Sequence, residues 1–255
     1  MIWLKNIGNC ILLWTVLITQ PYAQVLTEKI QVHVWSYYES LPFKTDSSGA
    51  GLSQDLVDLL NQQFSNSYDF QLETIPRIRL DYYLQQELPG IVIFVNWTWM
   101  GDNNKQKYLW SHELMKGRNE VVSSMKNPIQ YQGPSSLKGL SFAAIRGRRY
   151  LGLDELMDAD VIHRRFVNNE GSVLLLIASG RVQVTSMAKT LLMSHIQKHN
   201  LQGKLFVSNK PLFTYTRHIM VSKKLPEVYK AVQEFTLNIK HMPKWQAILK
   251  KYGLD

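Results

Sequence analysis

The residues best placed to do chemistry are aromatic rather than nucleophilic. Tyr37 and Tyr38 follow an alternating apolar–polar segment at 30–34, and Trp97-Thr98-Trp99 directly follows the apolar run Ile91-Val92-Ile93-Phe94-Val95. Aromatic faces stack on flat, cationic or sugar-like ligands, and they equally fill cores. Both readings are open for Tyr37, Tyr38, Trp97, Trp99 and the nearby Tyr108. Arg148 and Arg149 follow Gly147 at what reads as a helix start, where free N–H groups favour an anion; a solvated pair is the alternative. Gln183 and Thr185 add neutral polar contacts. These residue types, stacking faces beside a cationic pair, suit holding a small molecule rather than transforming one.

Signals for catalysis are weak. Gly-x-Ser-x-Gly is absent, as are the Walker A and dinucleotide fingerprints. His195 and His199 have zinc-compatible helical spacing, but no Glu stands beside His195. Glu39 and Asp102 are the carboxyls nearest the expected cleft. The single cysteine, Cys10, excludes a disulfide within the chain and a thiolate metal cluster. We expect no enzyme activity, no metal and no cofactor. The formal charge is +9, from 29 Lys and Arg against 20 Asp and Glu. The basic residues cluster only briefly, at 146–149, 163–165 and 223–224, so they read as solvated surface and not as a nucleic-acid footprint.

Lys5, the apolar stretch 10–18 and Ala23-Gln24 make a secretory signal over 1–23, with the cut placed after Ala23. The apolar stretch is shorter than the ~20 residues a membrane span needs. Export to the periplasm as a soluble monomer is expected.

The rest of the chain alternates strand and helix patterns. Strands are expected at 30–34, 70–73, 91–95, 120–124, 140–145, 161–167, 181–184, 204–207 and 218–221. Ser53 is the expected cap of a helix through Leu56, Leu59, Leu60 and Phe64. Pro76 opens a second, with Leu80, Tyr83, Leu84 and Leu88 on one stripe. Asn169 caps a third, which Gly180 ends. Two helices close the chain. This order predicts an α/β protein with mostly parallel sheets.

Five segments, in order, carry a resemblance. They are Leu41-Pro42-Phe43 with Gly51-Leu52-Ser53-Gln54-Asp55-Leu56; Tyr108-Leu109-Trp110-Ser111; Leu137-Lys138-Gly139-Leu140; Ala178-Ser179-Gly180-Arg181-Val182; and Leu225-Pro226-Glu227 with Lys251-Tyr252-Gly253. The chain resembles the bacterial extracellular solute-binding proteins of family 3, with the type II periplasmic-binding-protein fold. The resemblance implies two lobes, 24–117 plus 218–255 and 118–217, joined by two crossing segments and closing on a ligand by a hinge motion. It also implies delivery to the permease of an ABC-type transporter. The alternatives are a sensor that presents its bound state to a membrane receptor, a dehydratase-like enzyme of the same fold, and a member that has lost its ligand.

The chain departs from the amino-acid binders of that family. Counting six back from Trp110, their carboxylate-binding Arg falls on Asn104, beside Lys105, and no Arg lies between Asn96 and Ser111. Their acidic partner for the ligand ammonium falls on Gln183. A small polar or anionic ligand other than a standard α-amino acid is therefore expected.

Overall fold

The computed structural model describes residues 28–45 and 50–254. The signal over 1–23 lies outside the described residues.

The first strands are β1 (Ile30–Ser36), β2 (Tyr68–Thr74) and β3 (Ile91–Val95). They are joined by helices α1 (Leu52–Gln63) and α2 (Arg77–Gln85). A two-residue strand, β4 (Leu109–Trp110), leads into the long β5 (Met115–Ser124). Then come β6 (Ser141–Ile145), α3 (Asp154–Asp158), β7 (His163–Val167), α4 (Glu170–Ala178), β8 (Val184–Ala188) and α5 (Lys189–Lys198). After β9 (Leu205–Val207), β10 (Phe213–Val221) returns, and α6 (Pro226–Asn238) and α7 (Pro243–Lys251) close the chain.

The strand order is β2-β1-β3-β10-β5-β8-β6-β7, with β4 beside β10 and β9 beside β5. Parallel pairs lie on the flanks, β1 with β2 and β3, and β6 with β7 and β8. The middle is antiparallel because β5 carries the chain out of the first half and β10 carries it back. Residues Phe213 to Arg217 of β10 pair with β5, whereas His218 to Val221 pair with β3 and β4. The partner of β10 therefore changes between Arg217 and His218.

Each half has its own core. In the first, α1, α6 and α7 cover one sheet face through Val34, Leu56, Leu60, Ile93, Phe235 and Trp245. Trp35, Leu80, Val92 and Met220 fill the other face. All five residues of β3 are buried, as a run of apolar side chains covered on both faces requires. The second half packs Leu174, Ile177 and Met187 on one side and Leu137, Phe142 and Leu153 on the other.

Several local expectations are corrected. Ser53 does not cap α1: the helix begins at Leu52, Gly51 precedes it, and the Ser53 hydroxyl lies 3.4 Å from that of Ser36. Leu88 lies beyond the end of α2 and is exposed. The strand expected at 181–184 runs from Val184 to Ala188, because Gly180 turns at φ 76° and the Arg181 N–H still bonds back to the carbonyl of Leu176. The strands expected at 120–124 and 218–221 begin five residues earlier, at Met115 and Phe213, since they pair with each other across the middle. Asn169 does cap α4, accepting from the N–H of Ser172 at 2.9 Å.

Gly51 has φ 143°, and a β-carbon there would overlap the Phe43 carbonyl and approach Lys44 Cα to 2.8 Å. That close approach lets Leu52 N–H reach the Pro42 carbonyl and Ser53 N–H the Phe43 carbonyl, at 2.9 and 3.1 Å. Gly51→Ala is expected to destabilise the protein by about 2–3 kcal/mol, read as a lower urea midpoint at unchanged slope.

Candidate functional site

A cleft of about 1040 Å³ opens where β5 and β10 cross. Trp97, Thr98 and Trp99 line it from the first half, and Leu151, Lys189 and Thr190 from the second. Lys116, Gly117, Tyr215 and Thr216 of the crossing strands and Trp245 of α7 also line it. The turn at 96–99 reaches the cleft because it leaves the carboxyl end of β3, where ligands meet open α/β sheets. Asn96 pins that turn: its amide donates to the Thr216 carbonyl at 3.0 Å and its side-chain oxygen accepts from Thr98 N–H at 3.0 Å.

The expected aromatics divide into three groups. Trp97 and Trp99 face the cleft, with Thr98 between them. Trp97 packs 4.8 Å from the His218 ring, and the Lys105 ammonium stands 3.5 Å over its face. Burial holds His218 below the ordinary histidine value, against bonding to Ser111 and His112 that raises it. Trp99 meets Tyr215 edge-on at 5.0 Å. Tyr37 and Tyr38 are not among the cleft-lining residues. They stack at 4.4 Å behind Trp99, with Tyr38 on Phe43 at 4.3 Å, and burial pushes the Tyr37 phenol well above its ordinary value. Tyr108 packs beside Trp35 and Trp110 on the other sheet face.

The polar residues expected from the second half stand elsewhere. No helix starts at Gly147: α3 begins at Asp154 and has five residues, with Asp154 and Glu155 already in its first turn. Asp154 accepts from Tyr150 N–H at 2.9 Å and pairs with Arg149 at 3.0 Å. Arg148 pairs with Glu170. Gln183 is held by Ser141, whose N–H and hydroxyl donate to it at 2.8 and 3.1 Å. Thr185 is buried and donates to the Ala143 carbonyl at 2.8 Å. Because β8 ends at Ala188, the residues it delivers to the cleft are Lys189 and Thr190, while Gln183 lies at its opposite end.

No family model matches the sequence, and no curated protein matches it. Solved structures do. The probable amino-acid ABC transporter extracellular-binding protein ytmK of Bacillus subtilis superposes with a TM-score of 0.69 at 14% identity, over 89% of this chain and 99% of that one. Substrate-binding domain 2 of Lactococcus lactis GlnP, in an open conformation, gives 0.63 at 14% identity, over 88% and 96%. An ancestral arginine-binding protein bound to glutamine gives 0.62 at 16% identity, over 89% and 100%. This is the two-lobed type II periplasmic-binding-protein fold.

In a type II periplasmic-binding-protein fold the two halves are the lobes, and the cleft at the β5–β10 crossing lies between them. Charge in this cleft is positive. Lys116, Arg118, Lys189 and Lys240 line it against one carboxylate, Glu113, which pairs with Lys240 at 2.9 Å. Arg118 pairs with the buried Glu120. The two carboxyls nearest the expected site have other roles. Glu39 is exposed, and both oxygens of the buried Asp102 are occupied by N–H groups of the loop that follows.

Lys116, Lys189, Thr190, Tyr215 and Thr216 of the cleft, and Arg217 against the Tyr215 ring, escaped the sequence reading. A correct register for β8 would have found Lys189. Tyr215 and Arg217 follow only from the extension of β10 across both lobes.

Proposed function

We propose that this protein is an exported, monomeric solute-binding protein. Its lobes, 24–117 plus 218–255 and 118–217, capture a small polar or anionic ligand by closing on the cleft, and the bound form is delivered to the permease of an ABC-type transporter. The cleft itself carries the reading. It is aromatic on the side of one lobe, cationic on both, and lined by both, with β5 and β10 crossing beneath it. Residues that converge from two bodies on one cavity are what hinge closure brings onto a ligand. The neighbouring structures support the transport role, two of them being named as parts of amino-acid transport systems or as an arginine-binding protein. Asn104, where the amino-acid binders carry their carboxylate-binding arginine, favours a ligand other than a standard α-amino acid.

The test is thermal unfolding of the full chain against amino acids, organic acids, polyamines, sugars and short peptides, with X-ray scattering for compaction. A solute that binds only the folded state stabilises it by about 2.7 kcal/mol at a hundredfold excess over its dissociation constant. A raised midpoint with a smaller radius of gyration supports the reading; a library with no active solute overturns it. Trp99→Ala is expected to weaken the active solute by about 5- to 30-fold, the worth of one stacking face, measured by calorimetric titration. Arg148→Ala, away from the cleft, serves as the control and is expected to leave affinity unchanged.

A further inference from the structure

Among the described residues Arg217 is a buried cation without a counter-ion. It is 4% exposed and stands at the point where β10 changes partners. Among the described residues it forms no ion pair, and its side-chain hydrogen-bond partners are the phenols of Tyr38 and Tyr215. Four rings surround the guanidinium: Phe43 at 4.8 Å, Tyr38 at 5.0 Å, Trp99 at 5.1 Å and Tyr215 at 5.2 Å. Cation–π contact offsets part of the desolvation of such a charge but supplies no hydrogen-bond acceptor.

The hydrogen bonds are one-sided. Nη1 donates to the Phe94 carbonyl at 2.7 Å and to the Tyr38 hydroxyl at 2.6 Å. Among the described residues Nε has no partner, and Nη2 has a single long contact of 3.5 Å to the Tyr215 hydroxyl. The unengaged Nε–Nη2 edge is the edge of the planar fork that takes a carboxylate with two parallel bonds. Backbone strain holds the other edge in place: Phe94 has φ 60°, and the ladder beside it shifts register between His218 and Met220. Non-glycine residues keep such a conformation where the surroundings over-determine it, at a cost of about 1–3 kcal/mol. Two of the rings that cover Arg217, those of Trp99 and Tyr215, also line the cleft.

We propose that Arg217 is the carboxylate receptor of this cleft, its Nε–Nη2 edge taking the anionic group of the ligand once the Trp99 and Tyr215 rings part. The inference rests on the solute-binding reading and names the ligand class: a carboxylate whose body lies between aromatic walls. The charge comes from the returning crossover strand, not from the segment between Asn96 and Ser111, which holds no arginine.

The test uses the full chain with nitrogen-15-labelled arginine. Glutarate, benzoate and indole-3-acetate are titrated in, each beside its fully amidated counterpart and with chloride as the ionic-strength control. The Arg217 Nε–H resonance, identified by its loss in Arg217→Lys, is expected to move saturably with at least one carboxylate and not with the matching amide. Arg217→Lys is expected to weaken that carboxylate by at least about tenfold, since a point charge does not replace the fork. If the lysine variant fails to fold, the wild-type resonance and the acid–amide comparison decide alone. A carboxylate that raises the melting midpoint without moving the Nε–H signal overturns the Arg217 assignment and leaves solute binding standing, as does a neutral or cationic solute that binds while every carboxylate fails. No active solute of any class overturns both.

Discussion

Asp102→Asn is expected to destabilise the protein by about 2–4 kcal/mol, because one carboxylate closes a whole loop. Asp102 Oδ1 accepts from the N–H groups of Gln106 and Lys107 at 2.8 and 3.0 Å. Its Oδ2 accepts from Tyr108 N–H at 3.1 Å and from the Trp110 indole at 2.9 Å. Asparagine keeps one acceptor and turns an NH₂ group toward the remaining donors, so two N–H groups are left unmet at about 1–3 kcal/mol each. The loop connects the Trp97 turn to β4, so its loosening also frees one wall of the cleft. The same bonds set an acid dependence. Burial pushes the Asp102 carboxyl up, but its bonds from Lys107, Trp110, Gln106 and Tyr108 prevail and hold it below the ordinary carboxylate value. The unfolded chain therefore binds this proton more readily than the folded one. The stabilisation is full above the unfolded value of about 3.9 and is lost as pH falls through the folded value. Urea titrations at pH 7 and down to pH 2 read both effects. The asparagine variant should start from a lower midpoint and lose less of it on acidification. Equal midpoints at pH 7 would show that the loop is held by something else.

Gly117→Ala carries the second large effect, at the crossing of the lobes. Gly117 faces Tyr215 across the β5–β10 ladder, and a β-carbon there would overlap the tyrosine ring. The ring has little room to retreat, with Trp99 at 5.0 Å and Phe213 at 6.0 Å. Overpacking of this kind costs about 1–3 kcal/mol. Because Tyr215 and Trp99 share the cleft wall, the alanine is also expected to weaken the solute found by thermal screening, by about tenfold if 1.4 kcal/mol of the strain is expressed in the bound state. A double-mutant cycle separates overlap from simple loss of backbone freedom. Tyr215→Ala should restore most of the stability in the Gly117→Ala background, giving a coupling of about 1–2 kcal/mol. Additive effects of the two substitutions would mean that the ring moves aside freely.

The sequence by itself determined the elements and their order. The apolar run of β3, the Asn169 cap and the Gly180 stop of α4, and the strand–helix alternation are local patterns, set by side-chain periodicity and backbone preference within a few residues. That order predicts an α/β protein and brings Trp97 and Trp99 to the carboxyl end of a buried strand, whereas the two-lobed fold was implied by the resemblance that five short segments carry. Tertiary structure alone decided which charges are free. Arg148 and Arg149 look available along the chain and are taken by Glu170 and Asp154. Arg217 stands just outside the strand expected at 218–221, yet it is buried among rings contributed by three segments, the loop at 38–43, the turn at Trp99 and β10 itself. Arg148 meets Glu170 across 22 residues, and Arg217 meets Phe94 and Tyr38 across 123 and 179, once β10 lies beside β3. No local pattern records which partner a charge meets across that distance, so the residue with the strongest claim on a ligand became legible only when the two crossing strands were in register.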